Sequence, residues 1–105
     1  MADFMKILAQ AQEMQGKFQT LQDDLEKESV TASAGGGMVT VEANGQGAVR
    51  SIKIDPSVVN AADVEMLEDL VLVAITEAQK KAQEIQQREM SKLTGGMSLP
   101  FKLPF

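Results

Sequence analysis

Leu70-Val71-Leu72-Val73-Ala74-Ile75 is the longest apolar run in the chain, and its reading decides the fold. Six residues of this kind suit a buried strand or the middle of a helix, so the flanks arbitrate. Val64 and Leu67 precede the run, and Ala78, Ala82 and Ile85 follow it. With Val71 and Ala74 they recur every three or four residues, which is helical spacing. Asn60 and Asp63 resemble a capping box in which a short acid replaces the usual Glu or Gln. Asp63, Glu65, Glu68 and Asp69 crowd the first turns, whereas Arg88 and Lys92 sit near the far end, the arrangement the helix dipole favours. Thr94-Gly95-Gly96 supplies a stop. The spacing thus predicts a helix over 60–93, about 45–50 Å long. A globule of 105 residues cannot bury a helix of that length. Its far half must project or meet another chain.

Upstream, Phe4, Ile7, Ala11, Met14, Phe18, Leu21 and Leu25 alternate spacings of three and four, a heptad seam. This predicts a first helix over 3–28, capped by the Asp3 carboxylate. Its end is unusual, because Asp23, Asp24, Glu26 and Glu28 lie where the dipole prefers bases. From Ser29 the period becomes two. Val30–Ala34, Met38–Ala43 and Ala48–Ile54 read as strands, joined by Gly35-Gly36-Gly37 and by a turn at Asn44-Gly45. Gln46-Gly47 enlarges that turn or adds a bulge. In the third strand, Arg50, Ile52 and Ile54 are expected on one face and Val49, Ser51 and Lys53 on the other. Asp55-Pro56-Ser57 ends the sheet.

The expected architecture is α+β in a single domain over 1–105: a long helix, a three-stranded antiparallel sheet over 29–55, a second long helix and an extended tail over 94–105. Three short strands need a helix across one face. A helix apolar on nearly every side needs a second surface as well, and a second copy of the chain is its simplest supplier. Leu67, Leu70, Val71, Ala74, Ile75 and Ala78 are the expected contacts of an intertwined homodimer. The tail alternates apolar residues through Met97, Leu99, Phe101, Leu103 and Phe105 around Pro100 and Pro104. It reads as a segment that docks on the protein itself or as a short recognition motif.

The residues absent from the chain narrow the chemistry. There is no His or Cys, hence no imidazole base, no thiolate and no ordinary zinc site. The glycine segments lack the Gly-Lys-Ser/Thr ending of a phosphate loop and the spacing of a dinucleotide fingerprint. No serine has the surroundings of a nucleophile elbow. Glu65, Glu68, Asp69 and Glu77 look like a solvated helix face. A non-enzymatic protein without cofactor or metal is expected. Met1-Ala2-Asp3-Phe4 lacks the features of a signal peptide, and the run at 70–75 is too short to span a bilayer, so the cytoplasm is the expected compartment.

The net charge is −5, which disfavours a general polyanion binder. Its distribution is uneven. Residues 1–28 carry three lysines against six acids, whereas residues 78–105 carry five bases against two acids, a local +3. Lys80, Lys81, Arg88 and Lys92 are the grouping with functional promise. Lys81, Arg88 and Lys92 share one side of the helix, and Lys6 extends the stripe if the two helices lie side by side. Such a stripe can meet a phosphate backbone without reading sequence. The plainer reading is a solvated face laced by Glu77–Lys81 and Glu84–Arg88 pairs.

Taken together, the parts resemble the YbaB/EbfC family of nucleoid-associated proteins. The likeness is carried by Ile54-Asp55-Pro56-Ser57 leading to Glu65-Met66-Leu67-Glu68-Asp69-Leu70-Val71, and by Gly95-Gly96-Met97-Ser98-Leu99-Pro100 with Pro104-Phe105. Ala9-Gln10-Ala11-Gln12-Glu13-Met14-Gln15 and the segment from Val39 to Asn44-Gly45 also fit. The resemblance implies an α-β-α homodimer with projecting helical arms that binds double-stranded DNA loosely, weakly and salt-dependently, in the nucleoid. It implies Lys6 and Lys17 on the first helix, and Lys80, Lys81, Arg88 and Lys92 on the last, as DNA-binding residues. The front departs from the commoner Gly- and Lys-rich start. Plastid-type relatives, linked with membrane-protein targeting, support the alternative of a protein-interaction dimer with little DNA affinity.

Overall fold

A computed structural model describes residues 2–93. In chain order these form helix α1 (Ala2–Lys27), strands β1 (Ser29–Ala34), β2 (Val39–Asn44) and β3 (Val49–Ile54), a 3-10 turn (Pro56–Val58) and helix α2 (Val64–Leu93). The long helix, three-stranded antiparallel sheet and second long helix expected from the sequence are all present. The sheet is a meander in the order β1-β2-β3. The tail over 94–105, including the Thr94-Gly95-Gly96 stop and Lys102, lies outside the described residues.

Pairing fixes which side chains enter the core. Val30 faces Ala43, Ala32 faces Val41, and Ala34 faces Val39, and all six are buried. Helix α2 lies across this face with Ala74, Ala78 and Ala82, which have no accessible surface left. Alanine at this spacing lets the helix axis approach the strands closely. Leu67, Leu70, Val71, Ile75 and Ile85 close the flanks while half-buried. The 70–75 run is thus helical, and one line of its residues meets the sheet.

Both connections between strands depend on unusual backbone. Gly35, Gly36 and Gly37 all have positive φ, a run that side-chain-bearing residues rarely sustain. The second turn is held by Asn44, whose side-chain oxygen accepts from the Gln46 and Ala48 amides at 2.9 Å each. A register shift between Glu42 and Ala43 pairs Ala43 with Val49 and leaves an extra residue on β3. Opposed residues share a face, so the bulge brings Val49 to the side of Ile52 and Ile54. This corrects the simple alternation expected for β3.

The start of α2 also differs from expectation. Asn60 does not open the helix. Its side chain accepts from the Ala62 amide at 2.9 Å, and its carbonyl accepts from Asp63 N, making a local turn. The helix begins four residues later at Val64, and Asp63 Oδ1 accepts from the Met66 amide at 3.2 Å. Before it, Asp55 caps the 3-10 turn by accepting from Ser57 N at 2.9 Å. The Ser57 amide, aided by its hydroxyl, holds the Asp55 carboxyl below its ordinary 3.8.

Candidate nucleic-acid interface

Among the described residues, helix α1 joins the rest of the molecule only through its C-terminal part. Leu21 and Leu25 are buried, and the Leu25 carbonyl accepts from Gly45 N at 2.7 Å. The Gln46 side chain donates to the Gln22 carbonyl and to Gln22 Oε1, both at 3.1 Å. Arg50 donates to the Glu26 carbonyl. A cation therefore sits at the end of α1 where the local sequence offered mainly acids, and it comes from β3. The first half of α1 extends away from the sheet, in a molecule measuring 72 × 24 × 17 Å. This is the projecting arm.

The other helix is fixed on both flanks. Lys81 Nζ donates to the Thr31 carbonyl of β1 at 2.7 Å. On the opposite side, the Gln79 amide donates to Gly47 O at 3.2 Å and Gln86 to Gly45 O at 2.8 Å. The turn at 44–47 is thereby held by both helices. Beyond it, α2 passes antiparallel to α1, and an open cleft forms between their ends. Gly16, Lys17, Leu21 and Asp24 line it on one side and Glu89, Lys92 and Leu93 on the other.

The six bases expected at a phosphate contact do not form one cluster. Lys17 and Lys92 meet at the cleft, but each is paired within its own helix, with Glu13 at 3.6 Å and Glu89 at 3.4 Å. Three acids (Glu13, Asp24 and Glu89) also line that cleft, against the two lysines. Lys81 is exposed but anchored on β1. Lys6 is exposed on the arm and, among the described residues, is in no ion pair. Lys80 and Arg88 are exposed, and the Glu77–Lys81 and Glu84–Arg88 pairs are not among the ion pairs of the described residues. Spaced seven and then four residues apart, Lys81, Arg88 and Lys92 follow one flank of α2 over about 16 Å. Lys53, exposed on β3, is a further base that helix-wheel reasoning could not reach; only the strand register exposes it.

The apolar surface is divided in a way the sequence did not indicate. Ala74 and Ala78, expected at a dimer contact, are wholly used within the chain. Leu67, Leu70, Val71 and Ile75 retain some surface, as half-buried neighbours of that core. The most open residues of the run are Leu72 and Val73, at 64% and 50% exposure. Leu72 precedes Gln79 by two helical turns and shares its flank, the one turned to the β2–β3 side. Val49, Ile52 and Ile54 of β3 are exposed there although they lie on the helix-facing side of the sheet.

No helix among the described residues is long and apolar enough to cross a membrane. The fold is similar to that of an uncharacterized Helicobacter pylori protein in a crystal structure, with a TM-score of 0.79 over 86% of this chain and 95% of that one, at 24% identity. A nucleoid-associated protein of Gemmatimonas aurantiaca is 52% identical over 98% of this chain and 99% of its own length. Another from Thermodesulfovibrio yellowstonii is 54% identical over 96% and 85%, respectively. The pattern of the YbaB/EbfC DNA-binding family matches residues 1–97. By its sequence, then, the chain belongs to the YbaB/EbfC DNA-binding family.

Proposed function

We propose that this protein is a nucleoid-associated DNA-binding protein that holds double-stranded DNA with little sequence preference and works in the cytoplasmic nucleoid. Membership of a DNA-binding family supports the partner. The observation that carries the assignment of residues is the flank of α2, where Arg88 stands exposed between Lys81 and Lys92 and, among the described residues, outside any ion pair. Such side chains contact phosphates rather than base edges, which accounts for loose specificity. Lys6, Lys17 and Lys80 are auxiliary. Lys17 must first leave Glu13.

The working form is a homodimer. Its support is the apolar surface left open, with Leu72 on α2 and Val49, Ile52 and Ile54 on β3 all exposed. A second copy placed there by a twofold axis covers both patches at once. Two arms on one duplex make the second contact intramolecular and strengthen an interaction that is weak for each chain. Sedimentation at low micromolar concentration is expected to give twice 11.3 kDa.

Binding to unrelated duplexes should weaken steeply from about 50 to about 200 mM salt, with a slope of roughly 0.9 per neutralised phosphate. Replacing Lys81, Arg88 and Lys92 with Glu should abolish it while leaving helicity and dimer mass unchanged. Equal binding by the triple variant would refute the flank assignment. No binding by the parent at about 50 mM salt would instead favour a protein-interaction dimer, the reading supported by the three acids in the cleft.

A further inference from the structure

Asn44-Gly45, at the head of the second turn, joins a side-chain carboxamide to a backbone amide that can attack it. The chain has two asparagines; Asn44 precedes a glycine, whereas Asn60 precedes Ala61. Without a side chain at residue 45, the Gly45 nitrogen can approach Asn44 Cγ with little hindrance. Asn44 is buried, and its Oδ1 accepts from Gln46 N and Ala48 N at 2.9 Å each. Those two donors face the oxygen on which negative charge develops when Cγ is attacked. They belong to the turn itself and depend on neither helix. The Gly45 amide is placed differently. It donates to the Leu25 carbonyl of α1 at 2.7 Å, and this bond holds the proton that must leave before the nitrogen can attack. We propose that Asn44 is a self-modification site, activated by its own turn, held unreactive by docked α1, and converted to aspartate or isoaspartate once α1 undocks.

The reaction needs no co-reactant but water. The Gly45 nitrogen loses its proton to solvent and bonds to Asn44 Cγ. The carboxamide nitrogen takes up a proton and leaves as ammonia, closing a succinimide ring. Water then adds to either ring carbonyl, giving aspartate from one and isoaspartate from the other. Aspartate keeps the side-chain acceptor of the turn. Isoaspartate instead routes the main chain through the former side chain, which lengthens it by a carbon and leaves a carboxylate on Cα. Gly45 is the residue least able to absorb that change, because both helices are tied to it. Its amide meets Leu25, and its carbonyl accepts from the Gln86 side chain at 2.8 Å. A Cβ at residue 45 would already stand 2.7 Å from the Leu25 carbonyl and 3.0 Å from Glu28 Cβ, so the clasp has no space for displaced backbone. Isoaspartate at residue 44 therefore prevents α1 from docking again, and the modification records that the arm has been released.

The test is to age the full-length protein in mildly alkaline buffer and follow each asparagine by peptide mass mapping. In the folded parent, Asn44 should lose ammonia at least about tenfold more slowly than in the same chain unfolded by urea. Leu25→Ala, which shortens a buried side chain at the docking end of α1, should speed the loss about tenfold and leave Asn60 unaffected. Gln46→Ala removes both bonds to Gln22 without touching the core, and it should give a smaller gain of about threefold. Sheet amides still protected from hydrogen exchange certify that a variant is folded; where Leu25→Ala loses that protection, Gln46→Ala decides. Equal rates at Asn44 in the parent and the folded variants would overturn the proposal, as would a folded parent that reacts as fast as the urea-unfolded chain. The isoaspartate form isolated from aged parent should exchange its α1 amides about tenfold faster while β1 and β2 stay protected. Unchanged protection of α1 in that form would overturn the release step.

Discussion

The two helices bury their apolar stripes in opposite ways. The stripe of α2 that meets the sheet is alanine at its centre, Ala74, Ala78 and Ala82, all without accessible surface. The stripe of α1 carries Phe4, Ile7, Leu8 and Phe18, far larger side chains, and all four are exposed. By transfer free energy alone α1 offers more apolar area to bury. The difference lies in what stands opposite each helix. Helix α2 crosses a sheet whose facing residues are small, and close approach completes the contact. Among the described residues, helix α1 meets the fold through its C-terminal part, from Leu21 to Glu26, and then runs past its edge. Hydrophobic periodicity therefore marks a face that seeks cover, while the neighbouring element decides whether cover is supplied within the chain.

This contrast is most easily broken by placing a charge on each stripe. Ala78→Asp would leave an unpaired carboxylate between α2 and β2, and it should cost about 3 kcal/mol or more in urea unfolding. Ala11→Asp, on the open seam of α1, should cost well under that, about 1 kcal/mol or less. Similar losses at the two sites would mean that α1 is packed as tightly as α2.

The charges sharpen the comparison next. Arg88→Glu alone should reduce affinity for duplex DNA about tenfold at low salt, through the loss of one phosphate contact and the repulsion that replaces it. Lys17→Glu should have a smaller effect, about threefold or less, because Glu13 already neutralises that lysine. Fluorescence anisotropy with one labelled duplex measures both. A larger loss at Lys17 than at Arg88 would move the interface from α2 to α1.

The join between the helices should be less sensitive than the α2 seam but far from neutral. A methyl group at Gly45 would stand 2.7 Å from the Leu25 carbonyl, so backbone has to shift. Gly45→Ala should cost about 1–3 kcal/mol and should speed exchange in α1 before it affects the sheet. Uniform loss across both regions would show that the arm and the sheet unfold as one unit.

The smallest expected effect concerns acid. Hydrogen bonds from Ser57 hold the folded-state pKa of Asp55 below 3.8. A carboxyl depressed in the folded state contributes stability above its unfolded value, and the contribution is lost as the pH falls through the lowered one. Asp55→Ala should therefore flatten the fall in melting temperature below about pH 4 and leave its dependence above about pH 5 unchanged. An unchanged acid limb would show that the Asp55 cap is not coupled to global unfolding.

Much of the architecture was legible because both periods are long and clean. The seam from Phe4 to Leu25 and the line from Val64 to Ile85 are helical at almost every step, and the strands are bounded by glycine runs. What escaped the sequence came from competition among local bonds. Asn60 has the composition of a cap, but its own turn to Ala62 and Asp63 captured it, and the helix started later. The bulge at β3 is encoded by no residue type that distinguishes it from the strand. At the interface, the types and positions of the bases could be read, but their partners could not. Lys81 is anchored by a carbonyl on β1, 50 residues away, and Arg50 reaches the end of α1, 24 residues away. Ala74 and Ala78, expected as dimer contacts, lie against the chain's own sheet for a related reason: a helical wheel shows which residues share a face but not which of two apolar faces the sheet takes.

The clasp at the turn of residues 44–47 also makes α1 a lever. Its restraints, at Leu25, Gln22 and Glu26, fall within about one helical turn, some 5 Å, whereas Phe4 lies about 31 Å beyond Leu25 along the axis. Movement at the clasp is therefore multiplied about sixfold at the tip. A displacement of half an ångström, smaller than ordinary thermal motion, becomes about 3 Å at the arm's end. The tip of the arm can therefore shift by that much without breaking a single hydrogen bond of the sheet.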